Sequence, residues 1–439
     1  MTRRVLALCF AFAVIGTCVG EPLDHWTRKD LATGEDLVGI AFGNNTFIAL
    51  TQTGNVRISH DMSTFTLVSP RPAQFNDLQF TGLAFGNGVF IAVTAIPASY
   101  ELGAGSIFLS SDGIHWEKSL EEYGISFANP AFINGAFVVP ASDMRQTWFL
   151  ISADPQNQPW GKVPGPQSYA ITPKIGFGNE TDIATDSGHI YVSRDYMRSW
   201  TTISKPGLWS APAYGVVNGI PTFVIVGDMQ DVHPQPLCKG SVITSTDDGM
   251  TWSSVSKCFQ SLTDVIFAGG HFVAVGQFGA VADSTDGKTW NIRSRAAGNY
   301  NWLRKNAFGN NIFVAVGDHG ICTQSDPMDY KYVTVKFPAY GRGVVFSTPS
   351  SVLCEKDCSV GFPQNTIVIL RAVPEAPGIY PIYTVPGRFL RWEGDCAGAS
   401  DCKLTLNRDV AVTAHFSTAQ RQPPRPPHLP QQPRPGPHF

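Results

Sequence analysis

The stretch that most constrains the fold is Ser245-Thr246-Asp247-Asp248-Gly249-Met250-Thr251-Trp252, which reads Ser-x-Asp-x-Gly-x-Thr-Trp after the apolar pair Val242-Ile243. Its chemistry is that of a tight turn. Glycine reaches positive φ without steric cost, and Asp and Ser side chains hydrogen-bond the turn amides. Trp252 is placed to cover the turn from the next strand. Shorter copies are Ser284-Thr285-Asp286-Gly287-Lys288-Thr289-Trp290 and Ser110-Ser111-Asp112-Gly113-Ile114-His115-Trp116. Weaker ones run from Ser193-Arg194-Asp195 to Trp200 with Met197 in the glycine place, and from Ser152-Ala153-Asp154 to Trp160. Two more run from Ser59-His60-Asp61 to Phe65 and from Ser325-Asp326 to Tyr330, seven turns in all. They set an architecture. Neither they nor any catalytic motif elsewhere sets a function.

Between the turns, from residue 38 to 326, the chain repeats with a period of roughly 40 to 50 residues, the length of a propeller blade. Each unit opens with an apolar run ending in Phe-Gly-Asn or similar, and a second Phe follows five positions on. The pairs are Phe42/Phe47, Phe85/Phe90, Phe132/Phe137, Phe267/Phe272 and Phe308/Phe313. Phe177 is followed by Asp182 instead, and the fifth unit offers Val217 and Phe223. A second strand such as Phe272–Gly276, a glycine-containing loop, a third strand, the Ser/Asp turn and a strand from Trp complete the unit. Four short strands joined by hairpins make one blade, and seven blades packed around an axis bury the faces that one sheet cannot. An extra fourth-strand candidate, Trp26-Thr27-Arg28, precedes the first unit. It is expected to complete the last blade near Ile321-Cys322 and so close the ring.

These units resemble the Asp-box (BNR-like) β-propeller families, and among them the secreted or thylakoid photosystem II assembly-factor-like propellers with Gly-x-Phe-Val-Ala-Val-Gly before each box. The resemblance covers about residues 22 to 329 and implies a fold rather than an activity. From Tyr332 the grammar changes. Gly341 to Pro349, Asn365 to Pro374, Phe389-Leu390-Arg391-Trp392-Glu393-Gly394-Asp395-Cys396-Ala397-Gly398 and Val410 to Phe416 resemble the bacterial repeat domain related to the internalin B-repeat. Asn365 replaces its usual glycine, and 377–386 is an insertion. That resemblance implies bacterial origin and a spacer or adhesive role, without an activity. The expected fold is therefore all-β. A seven-bladed propeller covers 21–329, a small β-domain 330–417, and a disordered Pro-rich tail of polyproline II character 418–439.

Composition agrees with this reading. Of 439 residues 42 are Gly and 32 Pro, while only 15% are charged, which suits many turns and argues against helical bundles. A formal charge of −3 gives no reason to expect a nucleic acid or anionic membrane partner. Thr2-Arg3-Arg4, the apolar run Val5 to Val14 and Cys18-Val19-Gly20 read as a secretory signal over 1–20, too short to span a bilayer. A lipidated Cys18 is the alternative, to which the preceding Thr17 is a poor fit. Export permits disulfides. Cys238 and Cys258 lie equally far from Asp248, and a hairpin there would bring them opposite each other. Cys354/Cys358 and Cys396/Cys402 are close pairs, and Cys322 is left as a buried thiol.

The Ser/Asp turns belong on the outer rim, opposite the usual ligand face, so their aspartates are read as structural. Ligand-face loops carry the binding candidates. Loop 94–105 holds Tyr100 and Glu101, and loop 227–239 holds Asp228, Asp231 and His233, three weak cation donors. Shorter loops offer Asp143, Arg145, Asp186, Gln277 and Asp318-His319. Tyr100, Arg145, Asp228 and His319 are the expected anchors. No catalytic residue, metal or cofactor is expected. Val56-Arg57-Ile58-Ser59 lacks the Pro of a sialidase Arg-Ile-Pro, and the sequons at Asn44 and Asn179 sit where turns want Asn anyway. The expected function is a monomeric, non-enzymatic binding scaffold, secreted, periplasmic or at the cell surface. Its partner would be an extracellular or periplasmic protein or a glycan. The alternative is a glycoside hydrolase drawing two of Asp143, Asp186, Asp228 and Asp318 into a cleft.

Overall fold

The computed structural model describes residues 23–31, 34–96, 103–143, 145–166, 174–217, 219–229, 239–293, 301–328, 330–338, 343–348, 352–364, 366–374, 384–385, 388–417 and 420–421. The segment 1–20, Tyr100, Glu101, Asp231, His233, Cys238 and almost all of the tail lie outside them. Among the described residues the regular structure is all β, apart from three single 3-10 turns.

The strands form a seven-bladed propeller. Blade 1 is Leu37–Gly43, Thr46–Thr51, Val56–Ser59 and Thr66–Leu67, paired in that order, and blades 2 and 6 repeat the pattern. In blade 3 the first strand is split into Ser126–Phe127 and Ala131–Ile133. Blades 4 and 5 share one strand, Thr201–Val217, whose first part is the outer strand of blade 4 and whose second part is the inner strand of blade 5. Blade 7 has Leu303–Gly309, Ile312–Gly317 and Ile321–Ser325, and its fourth strand is Trp26–Asp30 from the start of the chain. The register sets Trp26 opposite Ser325 and Lys29 opposite Cys322, as the sequence led one to expect. The first strands pack each against the next around the axis, blade 7 against blade 1 included.

The repeated Phe-Gly-Asn has a physical role at each letter. The aromatic pairs with the next strand's aromatic: the rings of Phe42–Phe47, Phe85–Phe90, Phe267–Phe272 and Phe308–Phe313 are 4.6–4.7 Å apart. Such pairs contribute about 0.5–1.5 kcal/mol beyond their buried area. The glycine makes room for the next blade. A Cβ on Gly43 would lie 2.2 Å from the Phe85 ring, and one on Gly309 2.1 Å from Phe42, across the ring closure. The asparagine takes positive φ and clasps the next blade. Asn44 Nδ2 donates to the carbonyls of Gly88 and Ser111, Asn87 Nδ2 to those of Gly135 and Ala153, and Asn310 Nδ2 to that of His60. Asn179 Nδ2 reaches Asp248 Oδ1. Both sequon asparagines thus spend their amides on holding neighbouring blades.

Two sequence readings need correction. In the fifth unit the aromatic partner of Phe223 is Tyr214, at 5.0 Å, whereas Val217 pairs with Ile220. The hairpin of blade 5 is two register pairs longer than that of blade 1, so the aromatic pair lies farther back from its turn. The third and seventh Ser/Asp turns do not close like the other five; Ser152 Oγ of the third is buried without a hydrogen-bond partner among the described residues. Ser325 Oγ donates to the carbonyl of Asp326, and the chain leaves the ring, because Trp26–Asp30 already holds the fourth-strand place.

Tyr330–Lys336 opens a second body of two four-stranded sheets. One runs Cys358–Pro363, Tyr330–Lys336, Val410–Phe416, Phe389–Gly394, with its central pair parallel; the other runs Leu353–Cys354, Gly343–Thr348, Ile367–Pro374, Cys402–Thr405. Val333, Val345, Leu370, Trp392 and Val412 are buried in one core. Disulfides join Cys354 to Cys358 and Cys396 to Cys402. Thr384–Val385 pairs with Gln420–Arg421, so a strand reaches into the segment read as tail. These sheets pack on the hairpin and Ser/Asp-turn end of the ring. Tyr330 stacks on Phe308 at 5.6 Å, Asn311 Nδ2 donates to Tyr332 Oη at 3.4 Å, and a cleft of about 630 Å³ separates Val217 and Phe267 from Ile367 and Lys403.

Candidate functional site

Four antiparallel strands put the first-to-second and third-to-fourth turns at one end of a blade, and the other loops with the links between blades at the opposite end. The first end carries the Ser/Asp turns. There the Ser hydroxyl accepts the N–H of the positive-φ residue: Ser59 from Met62, Ser110 from Gly113, Ser193 from Met197, Ser245 from Gly249 and Ser284 from Gly287. Asp286 Oδ1 accepts from the amides of Lys288 and Thr289. Burial alone would raise the pKa of Asp286, but these amides and Ser284 outweigh it and hold it below the usual carboxylate range. The indoles of Trp116, Trp252 and Trp290 donate to the carbonyls of Gly113, Gly249 and Gly287. These aspartates are fully occupied by their own turns.

The loop end is built differently on each blade. Its most connected part spans the seam between blades 7 and 1. The 3-10 turn Asp318–Gly320 holds His319 at φ 54° with its side chain exposed. Arg304, at the top of the first strand of blade 7, donates to Asp318 Oδ1 and, at 3.0 Å, to Asp36 Oδ2. The His319 N–H donates to Asp36 Oδ1 at 3.2 Å. Beside them Glu35 Oε2 accepts from Thr53 Oγ1 and Asn55 Nδ2, and Arg71 donates to the Thr53 carbonyl and to Asn76 Oδ1. Burial pushes the Glu35 carboxyl up, but Asn55, Thr53 and Thr51 outweigh it and, with Arg71, hold it below the usual range.

The other expected residues stand apart from this belt. On blade 3 Asp143 Oδ1 accepts the N–H groups of Arg145 and Gln146, which lower its pKa, and leaves the Arg145 side chain exposed. On blade 4 Asp186 is buried and accepts from Tyr191 Oη at 2.7 Å, with His189 Nδ1 3.2 Å away. On blade 5 Asp228 Oδ2 accepts from Ser261 Oγ at 3.0 Å, and Oδ1 is buried without a hydrogen-bond partner among the described residues. Burial raises the Asp228 pKa against the opposing pull of Ser261 and Lys239. Asp143, Asp186, Asp228 and Asp318 are thus each held by different neighbours on four blades. Among the described residues no group of three or more His, Cys, Asp or Glu converges as a metal site would require.

Cys258 is disulfide-bonded, while Cys238, its expected partner, lies outside the described residues; Cys322 is a buried thiol. No described helix is long and apolar enough to cross a membrane. The solved structure described as YCF48 bound to D1 peptide is similar to this chain with a TM-score of 0.51 at 13% identity, covering 70% of this chain and 98% of that one. YCF48 from Cyanidioschyzon merolae gives 0.48 at 14%, over 68% of this chain and 98% of that one. The WD40 propeller domain of Doa1 gives 0.49 at 9%, over 70% and 96%. At 13% identity the first of these likenesses shows the propeller fold alone. No protein-family model and no curated protein matches the chain.

Sequence reasoning missed Arg304, Asp36, Glu35 and Arg71. A signal for Arg304 exists: it stands four residues before Phe308, where two other blades carry Thr81 and Thr263. Those threonines donate to the carbonyls of Phe127 and Leu303 on the following blade. Arginine there breaks the pattern and reaches the loop end instead.

Proposed function

We propose that the chain is a non-enzymatic scaffold that presents the loop end of its propeller to a protein partner outside the cytoplasm, with the C-terminal sheets as spacer. One observation carries this reading. Asp143, Asp186, Asp228 and Asp318 of the loop end are each tied into a different local network, while the opposite end is taken up by the Ser/Asp turns and the C-terminal sheets. A hydrolase needs two carboxyls held together across a cleft. A binding face needs a few exposed anchors on a rigid frame, and Arg145 and His319 are exposed on such a frame. Membership of the Asp-box propellers, a secretory leader over 1–20 and a glycan as second partner class belong to the same reading. Disulfides fit an oxidising compartment. The peptide carried by the similar YCF48 structure supports a protein partner.

The test is binding of the chain from residue 21 onward to peptide and glycan arrays. Arg145→Glu and His319→Ala are expected to weaken capture at least tenfold, and Met250→Ala at the other end to leave it unchanged. Release of reducing sugar from a polysaccharide, abolished by Asp143→Asn, Asp186→Asn, Asp228→Asn or Asp318→Asn, would replace this reading with the hydrolase.

A further inference from the structure

The outer rim between blades 2 and 3 departs from the repeat in two ways. The outer strand of blade 2, Glu117–Tyr123, has seven residues, where those of blades 1, 5 and 6 have two. Its register skips Ser119, and a bulge of this kind re-aims a side chain. The third Ser/Asp turn is also long. Trp160 follows Asp154 by six positions, where Trp116 follows Asp112 and Trp290 follows Asp286 by four, and no glycine stands between. The indole leaves its own turn: Trp160 Nε1 donates to Ser119 Oγ of blade 2 at 3.1 Å, and Ser119 Oγ donates to the Pro155 carbonyl at 3.2 Å. The two departures frame a pocket of about 700 Å³, which Trp160, Leu120 and Pro159 line beside Glu117, Gln156 and Gln158. That volume lies in the range of small-ligand sites, about 300–1,000 Å³. None of the lining belongs to the C-terminal sheets.

We propose that this pocket binds an uncharged saccharide. Its cations are already matched: His115 Nδ1 lies 2.7 Å from Asp112, Lys118 Nζ 3.1 Å from Glu121 and Lys162 Nζ 3.5 Å from Glu122. That leaves no cation for an anionic ligand, and the exposed Glu117 carboxylate repels one. The side chains of Glu117, Gln156 and Gln158 are exposed and have no hydrogen-bond or ion-pair partner among the described residues. A carboxylate only accepts, whereas an amide both donates and accepts. Sugar hydroxyls do both and can satisfy all three. The half-buried Trp160, with Leu120 and Pro159, offers the apolar surface that the C–H face of a sugar ring needs. The hydrogen bonds through Ser119 hold that surface in place across the two blades. The pocket lies beside the Ser/Asp turns, away from the loop-end anchors, and stands or falls independently of them.

Ligand-observed NMR with the full chain at pH 7 tests this. The probes are tetrasaccharides of glucose, mannose, xylose and N-acetylglucosamine, with polygalacturonate as an acidic sugar and oligolysine as a cationic peptide, each to millimolar concentration. At least one neutral tetrasaccharide is expected to bind saturably. Glu117→Ala and Gln158→Ala, both at exposed positions and expected to melt at the parent temperature, are each expected to weaken that binding at least tenfold. Met250→Ala, on the turn of blade 5, is expected to leave it unchanged. The Trp160 indole N–H signal, identified by its loss in Trp160→Phe, is expected to shift as the sugar is added. Binding of the acidic sugar or the peptide alone, no saturable saccharide, or full binding kept by either folded variant would overturn the site. Protein capture lost in His319→Ala but kept in Glu117→Ala leaves the scaffold reading in place when the rim site fails.

Discussion

Asp182 takes the place where the six other blades carry the second phenylalanine of the hairpin, and it is buried with Oδ2 lacking a hydrogen-bond partner among the described residues. Burial raises its pKa from 3.8 to about 6, the Met197 amide opposing and Asp195 adding to the rise. The folded pKa lies above the unfolded one, so this group favours the fold fully below pH 4 and that contribution is lost as pH rises through 6. A rise of this size corresponds to ~3 kcal/mol. Asp182→Asn is expected to stabilise the protein at pH 7 and to change little at pH 4, as read by urea midpoints at both. The turn aspartates behave oppositely. Ser199 holds Asp195 down at about 2. For Asp112, His115 and two amides outweigh the upward push of burial, and the value is again about 2. Their contributions are present above pH 4 and lost as pH falls toward 2, which acid unfolding curves of Asp112→Asn will show as a flatter acid limb. The Asp182 departure was visible in the sequence as a broken Phe pair. Its consequence was not, because burial and the absence of a partner are properties of the packed blade.

Within a blade, the five-residue spacing of the Phe pairs fixes a two-residue hairpin, so the first two strands could be read directly from sequence. The Tyr214–Phe223 pair escaped because one 17-residue strand serves two blades and hides the boundary that a loop would mark. Between blades, the Gly–aromatic contact makes a sharp prediction. Gly309→Ala places a methyl against the Phe42 ring at the seam. Overpacking of this kind costs about 1–3 kcal/mol, and a lowered denaturation midpoint with unchanged slope is the expected result. Asn87→Ala removes two clasping bonds to blade 3 and is expected to cost about 1–2 kcal/mol, where a similar change at exposed Met250 costs nothing measurable. The loop-end belt was the least legible part. Repeats announce what every blade shares, and Arg304, Asp36 and Glu35 are individual to the seam.

At the scale of the molecule, the strand Trp26–Asp30 is the only described strand that pairs with a partner almost 300 positions away in the chain. Deleting residues 23–31 is expected to lower Tm of the whole propeller rather than loosen blade 7 alone, because two sheet edges are bared at once. A truncated protein melting at the parent temperature would contradict this. The same strand also governs how the protein is made. Synthesis runs from the N-terminus, so Trp26–Asp30 waits unpaired while six blades emerge and its partner, Ile321–Ser325, comes last. Every nascent chain halted before that point carries an open ring with a hungry edge on either side. Arrested chains of increasing length are expected to stay sensitive to protease until residue 325 clears the ribosome, and then to become resistant in one step. Completion of the ring is thus a length gauge: the fold reports that the ribosome has reached the end of the last blade.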